Sequence, residues 1–298
     1  MITVTGLTKN FDGFRALNDL DLHVDKGSIY GLIGVNGSGK TTLIKHLTGI
    51  LRPDFGQVLM DGCPVYENRQ LKQRTGYIPD DLYFFSSTNL NEAARFYRSL
   101  YPNWNEKRYV EMTENFHLNK KIRMSRFSKG MQKQAAFLLT ICAMPDYLIL
   151  DEPIDGLDPI VRRQVWNYIV EDVAEREMTV LVSSHNLREM EGICDSVGIL
   201  SHGSMLIERD LDELKTDIHK IQVAYRSAPE NPYEGLNVLR RELRGSVELL
   251  VVRSSREAAE EIIRRHQPIL FDILPLSLEE IFICELGGET SELQNILF

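Results

Sequence analysis

The stretch "GLIGVNGSGKTT" constrains the fold of this chain more than any other part of the sequence. It places Gly34, Gly39, Lys40 and Thr41 at the G-x-x-x-x-G-K-[ST] spacing, after the β-like run "SIYGLI" and before the helical run "TLIKHLTGIL". In such a strand–loop–helix unit, backbone amides and the helix N-terminus attract phosphate, the lysine spans the terminal phosphates, and the threonine hydroxyl binds magnesium. A glycine-rich turn that precedes Lys-Thr by chance is the alternative. The stretch therefore predicts a nucleoside triphosphate site with these residues: Gly34, Asn36, Gly37, Ser38, Gly39, Lys40, Thr41 and Thr42.

Composition limits the class of protein and its partners. With 298 residues, of which 43% are hydrophobic and 26% charged, the chain is long enough for two globular domains. The net charge of -9 and the lack of a basic stripe argue against nucleic acid as a partner. The start "MITVTGLTKNF" lacks the pattern of a signal peptide, and the longest apolar run falls well short of a membrane span. We expect an intracellular protein with reduced cysteines.

Hydrophobic periodicity predicts an α/β core. The first sixty residues contain strand-like runs that predict a small, mostly antiparallel unit with the phosphate-loop unit inserted in it, and residues from about 88 to 145 are typical of a helical insertion. The strand "YLILDEP", the helix "VRRQVWNYIVEDVAER", the strand "MTVLVSS" and a helix "NLREMEGIC" then alternate, which favours parallel pairing. The runs "SVGIL" and "SMLIE", joined at His202-Gly203, predict a closing hairpin.

A change of composition near Asp210 predicts a second domain. The run "RDLDELKTDIHK" is charged and helical, and "IQVAYRS", "SVELLVVRS", "REAAEEIIRRHQP" and "ILFDILP" predict strand, strand, helix and strand. We expect a first domain over 1–217, an accessory α+β domain over 218–288 and a loosely held tail over 289–298. The sequence indicates no role for the accessory domain.

Two acidic residues end the apolar run "YLILDEP". Carboxylates at the end of a buried strand are costly unless they have a function. Asp151 suits a magnesium anchor that acts through the water shell of the ion, and Glu152 suits the base that accepts a proton from the attacking water. An acidic N-cap of the next helix is the alternative.

Three further motifs lie in a fixed order relative to the phosphate loop and the acidic pair, and they make the resemblance to one protein family specific. "FSKGMQKQ" lies between the phosphate loop and Asp151, "IDGLDP" follows Glu152, and "VSSHN" follows the next strand. With these motifs, residues 1 to about 209 resemble the nucleotide-binding subunit of an ABC transporter. The resemblance implies a P-loop NTPase core of ABC ATPase type, with an antiparallel β subdomain and a helical insertion, plus the C-terminal α+β domain. It also implies an ATPase that uses ATP and Mg2+.

The resemblance assigns a signature motif to "FSKGM". The family's usual form is Leu-Ser-Gly-Gly-Gln, from which this chain departs at Lys129 and Met131 while it keeps Ser128 and Gly130. Ser128 and Gly130 would offer a hydroxyl, an amide and a helix dipole to the γ-phosphate held by another subunit. A plain helix N-cap is the alternative. The segment "DGLD" matches the family's D-loop.

Two single residues complete the set. His185 matches the switch histidine, a catalytic residue that would contact the γ-phosphate and Glu152, although a histidine at a strand end is often structural. Phe11 falls where an aromatic ring stacks on adenine, and core packing explains Phe11 equally well.

The stretch "GYIPDDLYFF", residues 76–85, reads as a loop and occupies the place of the family's Q-loop. Asp80 stands where the family's glutamine touches magnesium or the attacking water. Aspartate offers an anionic oxygen but no amide donor, and it is one methylene shorter, so we expect a water-bridged contact to magnesium rather than a direct one. A simple turn is the alternative. Tyr83, Phe84 and Phe85 fall where the family receives the coupling helix of its membrane subunit, with internal packing as an equal alternative.

The resemblance also implies partners and a location. One chain carries one phosphate loop and one signature, so the expected active species is a homodimer or a dimer with a paralogous ATPase. A separate transmembrane permease subunit would hold it at the cytoplasmic face of the membrane. The segments "YPNW" and "PLSLEEIFICEL" resemble ATPase subunits of Gram-positive-type exporters of peptides, antibiotics or lipids, with nutrient import left open. The alternative from another class is a soluble ABC ATPase that acts on ribosomes or DNA.

Overall fold

The structure is a computed structural model that describes residues 1–85, 87–153, 156–211, 213, 218–227 and 229–285. Its contacts divide the chain into two units. The first comprises residues 1–185 and 196–208, and the second comprises 186–195 and the described residues from 209 onward. Residues 212 and 214–217 of the predicted helix "RDLDELKTDIHK" and the predicted tail over 289–298 lie outside the described residues. Leu211 and Glu213 are helical, and the two ends of the predicted helix belong to strands.

An antiparallel sheet begins the first unit. Its strands are β1 (Ile2–Phe11), β2 (Phe14–Val24), β4 (Phe55–Met60) and β5 (Cys63–Pro64). They lie in the order β2-β1-β4-β5, and each neighbouring pair is antiparallel. Burial alternates along the start of β1, where Ile2 and Val4 are buried and Thr5 is exposed, as expected of a strand with one covered face. The predicted antiparallel unit is confirmed.

A mainly parallel sheet of six strands forms the centre of the first unit. Its strands are β3 (Ile29–Ile33), β6 (Thr75–Ile78), β7 (Tyr147–Asp151), β8 (Thr179–Ser184), β9 (Ser196–Ser201) and β10 (Ser204–Asp210). They lie in the order β10-β9-β3-β8-β7-β6. Every residue of β3, β7 and β8 is buried, because a parallel sheet is covered on both faces. The predicted parallel pairing is confirmed.

Helices accompany this sheet and supply the predicted insertion. They are α1 (Lys40–Leu47), α2 (Arg69–Arg74), α3 (Leu90–Leu100), α4 (Glu106–Asn115), α5 (Lys129–Cys142) and α6 (Pro159–Arg176). Asn89 and Glu92 form a capping box at the start of α3, and Asp158 caps α6, where Pro159 takes the first helical position. No helix among the described residues combines the length and apolar content needed to cross a bilayer.

An apolar core joins the two sheets of the first unit to α1. Ile2 from the antiparallel sheet, Leu32, Ile149 and Leu181 from the parallel sheet, and Leu43 from α1 belong to one buried cluster. Burial of side chains of this size stabilises the fold by about 1.5–3 kcal/mol each. The core therefore fixes the start of α1, and with it the phosphate loop, on the parallel sheet.

The predicted helix "NLREMEGIC" is wrong. A short 3₁₀ turn, Leu187–Glu189, forms there instead, and Gly192 has a φ of 78°, which a helix does not accommodate. Within the second unit, Arg188 of this turn donates to both carboxylate oxygens of Glu279, at 3.1 and 2.9 Å.

The prediction of a loop over residues 76–85 is also corrected, because the first three of these residues belong to strand β6.

The second unit is an antiparallel sheet with helices. Its elements are β11 (Ile218–Ala224), β12 (Asn237–Arg244), β13 (Val247–Arg253), α7 (Arg256–Arg264), β14 (Leu270–Leu274) and α8 (Leu278–Glu285). The strand order is β12-β13-β11-β14, and Ile263 of α7 packs on Ile221 and Leu250 of the sheet. The predicted strands and helix are confirmed. The edge strand β12 escaped prediction because its charged run "NVLRRELR" has no fully buried residue.

We expect Gly203 to tolerate a side chain less well than Gly62. His202 and Gly203 have φ values of 47° and 79°, and Asp61 and Gly62 have 49° and 75°, so both pairs form the same kind of hairpin turn. A Cβ on Gly203 would lie 2.6 Å from the carbonyl oxygen of Ala16, whereas one on Gly62 would meet nothing within 4 Å.

Gly62→Ala should lower the free energy of unfolding by about 1 kcal/mol because of its left-handed backbone. Gly203→Ala should lower it by about 1–3 kcal/mol more because of the added crowding. Urea denaturation of the two variants measures the difference, and equal losses would contradict the crowded position of Gly203.

Candidate active site

Three adjacent parallel strands bring the predicted site residues to one edge of the sheet. Ile33 of β3 pairs with Ser184 of β8, and Asp151 of β7 pairs with Ser183 of β8. The phosphate loop, His185 and Glu152 each follow one of these strand ends in the chain. Because the carboxyl ends of parallel strands meet at one edge, residues that are far apart in sequence become neighbours there.

The phosphate loop is tied to its surroundings by its backbone. Gly34 N–H donates to the carbonyl of Ser184 at 3.3 Å, and Gly203 N–H donates to the carbonyl of Ser38 at 2.9 Å. Gly39 has a φ of 113°, and a Cβ there would lie 2.9 Å from the carbonyl oxygen of Ala16. Both the backbone angle and the close approach of β2 therefore require glycine at position 39.

The polar groups of the loop suit an anion. The Lys40 ammonium is buried and donates to the carbonyls of Gly34 at 2.6 Å and Val35 at 3.4 Å. The Ser38 hydroxyl is buried without a hydrogen-bond partner, and Asn36, Gly37 and Thr41 are exposed and Thr42 is half-buried. A cation and an unsatisfied hydroxyl at the start of a helix fit a phosphate group.

The carboxylate of Glu152 lies between Lys40 and His185. Its Oε2 is 2.9 Å from His185 Nδ1, and its Oε1 is 3.2 Å from Lys40 Nζ, an ion pair that lacks the alignment of a hydrogen bond. The Glu152 side chain is 11% exposed, so the carboxylate is largely withdrawn from water. Such a carboxylate, with a cation on one side and an imidazole on the other, can accept a proton from a water molecule.

Asp151 lies deeper at the same edge. It is 1% exposed and accepts a hydrogen bond of 2.6 Å from the Ser183 hydroxyl. Among the described residues, no group of three or more acidic, histidine or cysteine side chains could enclose a metal ion. Magnesium is commonly held by one or two carboxylates together with phosphate oxygens, so the donor set of Asp151 and Thr41 fits this ion.

The signature residues begin α5. The Ser128 hydroxyl is exposed and accepts a hydrogen bond from the amide of Met131 at 3.2 Å. Ser128 therefore caps α5, as the alternative interpretation of this residue, a plain helix N-cap, predicts. A Cβ on Gly130 would lie 3.2 Å from the carbonyl oxygen of Gly156. The D-loop residue Asp155 lies outside the described residues.

Asp80 lines a cavity of about 370 Å³. The other lining residues are Asp81, Leu82, Lys129, Gln132, Lys133 and Gly156. Partial desolvation raises the pKa of Asp80, the charge of Lys133 lowers it, and the charges of Asp81, Asp151 and Glu152 raise it. Asp80 is therefore within electrostatic range of both acidic residues at the strand edge.

The aromatic residues singled out by the sequence lie mostly at the surface. Phe11 pairs with Phe14 at the end of the β1–β2 hairpin, and the exposed fractions of their side chains are 41% and 66%. The ring of Phe11 is thus not part of the core. Tyr83 and Phe85 are 81% and 66% exposed and form a T-shaped pair with ring centroids 6.0 Å apart.

Two residues of the site were not anticipated from the sequence. Ser183 donates to Asp151 and accepts at 3.1 Å from the amide of Glu152, and Lys133 donates to the carbonyl of Glu152 at 3.1 Å. The serine pair in "VSSHN" and the buried lysine just before the apolar run of α5 are the signals that indicate them, since buried polar groups need partners.

Comparisons with known proteins show the family to which this chain belongs. A family model for "ABC transporter" matches residues 17–155. The chain is 32% identical over 289 residues to the ABC transporter ATP-binding protein YtrB of Bacillus subtilis (strain 168), which covers 97% of this chain and 99% of that protein. It is 33% identical over 219 residues to the bacitracin transport ATP-binding protein BcrA of Bacillus licheniformis, with 72% of this chain and 71% of that protein covered.

A solved structure supports the same assignment. The structure described as the ATP binding subunit of an ABC transporter matches with a TM-score of 0.67 and 28% identity, over 72% of this chain and 92% of that one. The predicted fold class, P-loop core, antiparallel subdomain and helical insertion are confirmed. This chain therefore belongs to the ATP-binding subunits of ABC transporters and is an ATPase.

Proposed function

We propose that this chain is the ATP-hydrolysing subunit of an ABC exporter, in which ATP-driven closure of a dimer moves a separate membrane subunit. The observation that carries the hydrolytic part is the Glu152 carboxylate held between Lys40 Nζ and His185 Nδ1. These contacts gather a base, a cation and an imidazole beside a phosphate loop, which is the set of groups that phosphoryl transfer to water requires.

Substrate binding is assigned to the phosphate loop. The phosphates of ATP are bound by the loop amides from Gly34 to Gly39, by the Ser38 hydroxyl and by the start of α1. Asn36, Gly37 and Thr42 lie at the exposed side of this loop. Lys40 neutralises the terminal phosphates. Phe11 offers an exposed ring to the adenine, and its neighbouring strand β2 approaches Gly39 closely, which supports that placement.

Hydrolysis is assigned to the strand edge. Glu152 accepts a proton from a water molecule while the water oxygen bonds to the γ-phosphorus and the bond to the β–γ bridging oxygen breaks, which releases ADP and phosphate. His185 holds the Glu152 carboxylate and contacts the γ-phosphate. Thr41 and Asp151 would hold Mg2+, with Asp80 in contact through water, and the ion would neutralise charge on the phosphate oxygens.

A dimer completes the site in this proposal. Ser128 and Gly130 of a second subunit contact the γ-phosphate bound to the first, and the exposed Ser128 hydroxyl at the start of α5 supports this role. ATP that makes these contacts only in the closed dimer shifts the population toward closure. A homodimer is the simplest case, and a paralogous partner chain is the other.

The membrane side of the proposal rests on an exposed aromatic surface. Tyr83 and Phe85 follow Asp80, which comes just after the carboxyl end of β6, so a movement at Asp80 reaches them through few residues. Aromatic side chains are favoured in protein interfaces. The relative named for bacitracin transport supports a peptide or antibiotic as the exported substrate. A soluble ABC ATPase without a membrane partner is the second candidate.

The variant Glu152→Gln should bind ATP but hydrolyse it at least about 100-fold more slowly, because the amide cannot accept the proton. It should accumulate as an ATP-bound dimer in size-exclusion chromatography. Phosphate release assays measure the rate, with Glu171→Gln on the surface of α6 as a matched control that should behave as wild type. Near-normal turnover of Glu152→Gln would remove Glu152 from the role of base.

The double variant Tyr83→Ala/Phe85→Ala should lose the membrane subunit, because the two rings would provide its docking surface. Purification of the tagged chain from detergent-solubilised membranes, followed by identification of a multi-span protein, measures this. Phe55→Ala, which removes another aromatic side chain that is 70% exposed, is the control and should keep the partner. Retention by the double variant would refute this docking surface. A wild-type chain that never co-purifies with a membrane protein would refute the transport proposal itself.

A further inference from the structure

Lys133 is a buried lysine, and the burial of a cation costs free energy. It lies one turn into α5 and is 9% exposed, and it is followed by an unbroken run of buried residues up to Cys142. Its ammonium donates to the backbone carbonyl of Glu152 at 3.1 Å. A lysine is seldom retained in such a position unless its charge or its hydrogen bond has a role.

The backbone that Lys133 contacts is strained. Glu152 has a φ of 45°, in the left-handed region that costs a residue with a side chain about 1–3 kcal/mol. Two side chains hold this conformation, one through the backbone amide of Glu152 and the other through its backbone carbonyl. The Ser183 hydroxyl accepts from the amide of Glu152 at 3.1 Å, and Lys133 donates to its carbonyl. Together they fix the direction in which the Glu152 side chain leaves the backbone.

Lys133 also faces acidic groups. It lines the same cavity as Asp80 and Asp81, together with the exposed Lys129. The two aspartates bring negative charge to the cavity that Lys133 shares with them, and Lys133 contacts the backbone of Glu152 at the same time. A cation at this position offsets part of that negative charge beside Glu152.

We propose that Lys133 is a positioning residue for ATP hydrolysis. It fixes the left-handed backbone of Glu152 through the carbonyl, and its charge offsets that of Asp80 beside the catalytic edge. This inference rests on the proposed role of Glu152 as the base. Lys133 itself touches neither the nucleotide nor the attacking water in this account.

The variant Lys133→Met keeps the length and apolar stem of the side chain but removes its charge and its donor. We expect kcat to fall at least about tenfold, since a small displacement of a catalytic group is enough for such a loss. The KM for ATP should stay within about twofold, because ground-state binding is left intact. Lys133→Arg keeps a charge and donors, and it should retain about a third of kcat or more. Lys121→Met, which changes an exposed lysine of the same unit, is the control and should match wild type.

Thermal melting separates positioning from general stability. A Lys133→Met protein that melts like wild type and has a kcat within about twofold of it would overturn the proposal. Equal losses of kcat in Lys133→Met and Lys133→Arg would also overturn it. If Lys133→Met does not fold, Lys133→Leu, which likewise lacks both the charge and the donor, replaces it under the same criteria.

Combination with Glu152→Gln distinguishes this proposal from the role of Glu152 itself. If Lys133 acts through Glu152, the double variant Glu152→Gln/Lys133→Met should hydrolyse ATP as slowly as Glu152→Gln alone, because effects of residues that act as a unit are not additive. A further tenfold loss, or more, in the double variant would contradict action through Glu152. Near-normal turnover of Glu152→Gln alone would refute the base assignment whatever Lys133→Met does.

Discussion

The contact on which the rest of this structure depends is the one between the Glu152 carboxylate and the two groups beside it, Lys40 Nζ and His185 Nδ1. These three residues come from three separate segments of the chain. They meet because β3, β8 and β7 are parallel neighbours whose ends are aligned, with Ile33 opposite Ser184 and Asp151 opposite Ser183. A change of register by one residue would turn every side chain of a strand to the other face and separate the three groups.

The surroundings of this contact explain how buried charges are tolerated there. Lys40 and Asp151 are almost fully buried, and each has polar partners: loop carbonyls for Lys40 and the Ser183 hydroxyl for Asp151. A buried charge without such partners would cost several kcal/mol. The same polar contacts also orient the groups, as the proposed phosphoryl transfer requires.

The sequence predicts the fold well where the signals are local, and poorly where contacts between distant residues decide the structure. The phosphate loop and the acidic pair Asp151-Glu152 were predictable because their signals are local: a fixed spacing, and a polar break at the end of an apolar strand. The segment after His185 was predicted as a helix and is a 3₁₀ turn, and its contact from Arg188 to Glu279 joins residues about ninety positions apart, which no local pattern indicates. The edge strand β12 was missed because its side chains alternate little in burial.

The site shows the same division between local and long-range information. The residue types of Lys40, Glu152 and His185 indicated chemistry, but their distances depend on strand pairing that a sequence does not state. Lys133 was missed because its partner is the backbone of Glu152, and a contact with a backbone carbonyl leaves no signature in the partner's residue type. Ser183 was missed because its contacts with Asp151 and Glu152 depend on the pairing of β7 with β8. The left-handed backbone of Glu152 is likewise a result of tertiary contacts, since local preference opposes it.

The central claim is that Glu152 is the base that activates water at the γ-phosphate. A crystal structure of the chain trapped with Mg2+, ADP and vanadate would test it most directly, because vanadate takes the place of the phosphoryl group in transfer. The account predicts a Glu152 carboxylate oxygen about 2.6–3.2 Å from the apical oxygen of the vanadate, with His185 still in contact with Glu152. An apical oxygen bound by Asp80 or His185 instead, with Glu152 turned away, would contradict it.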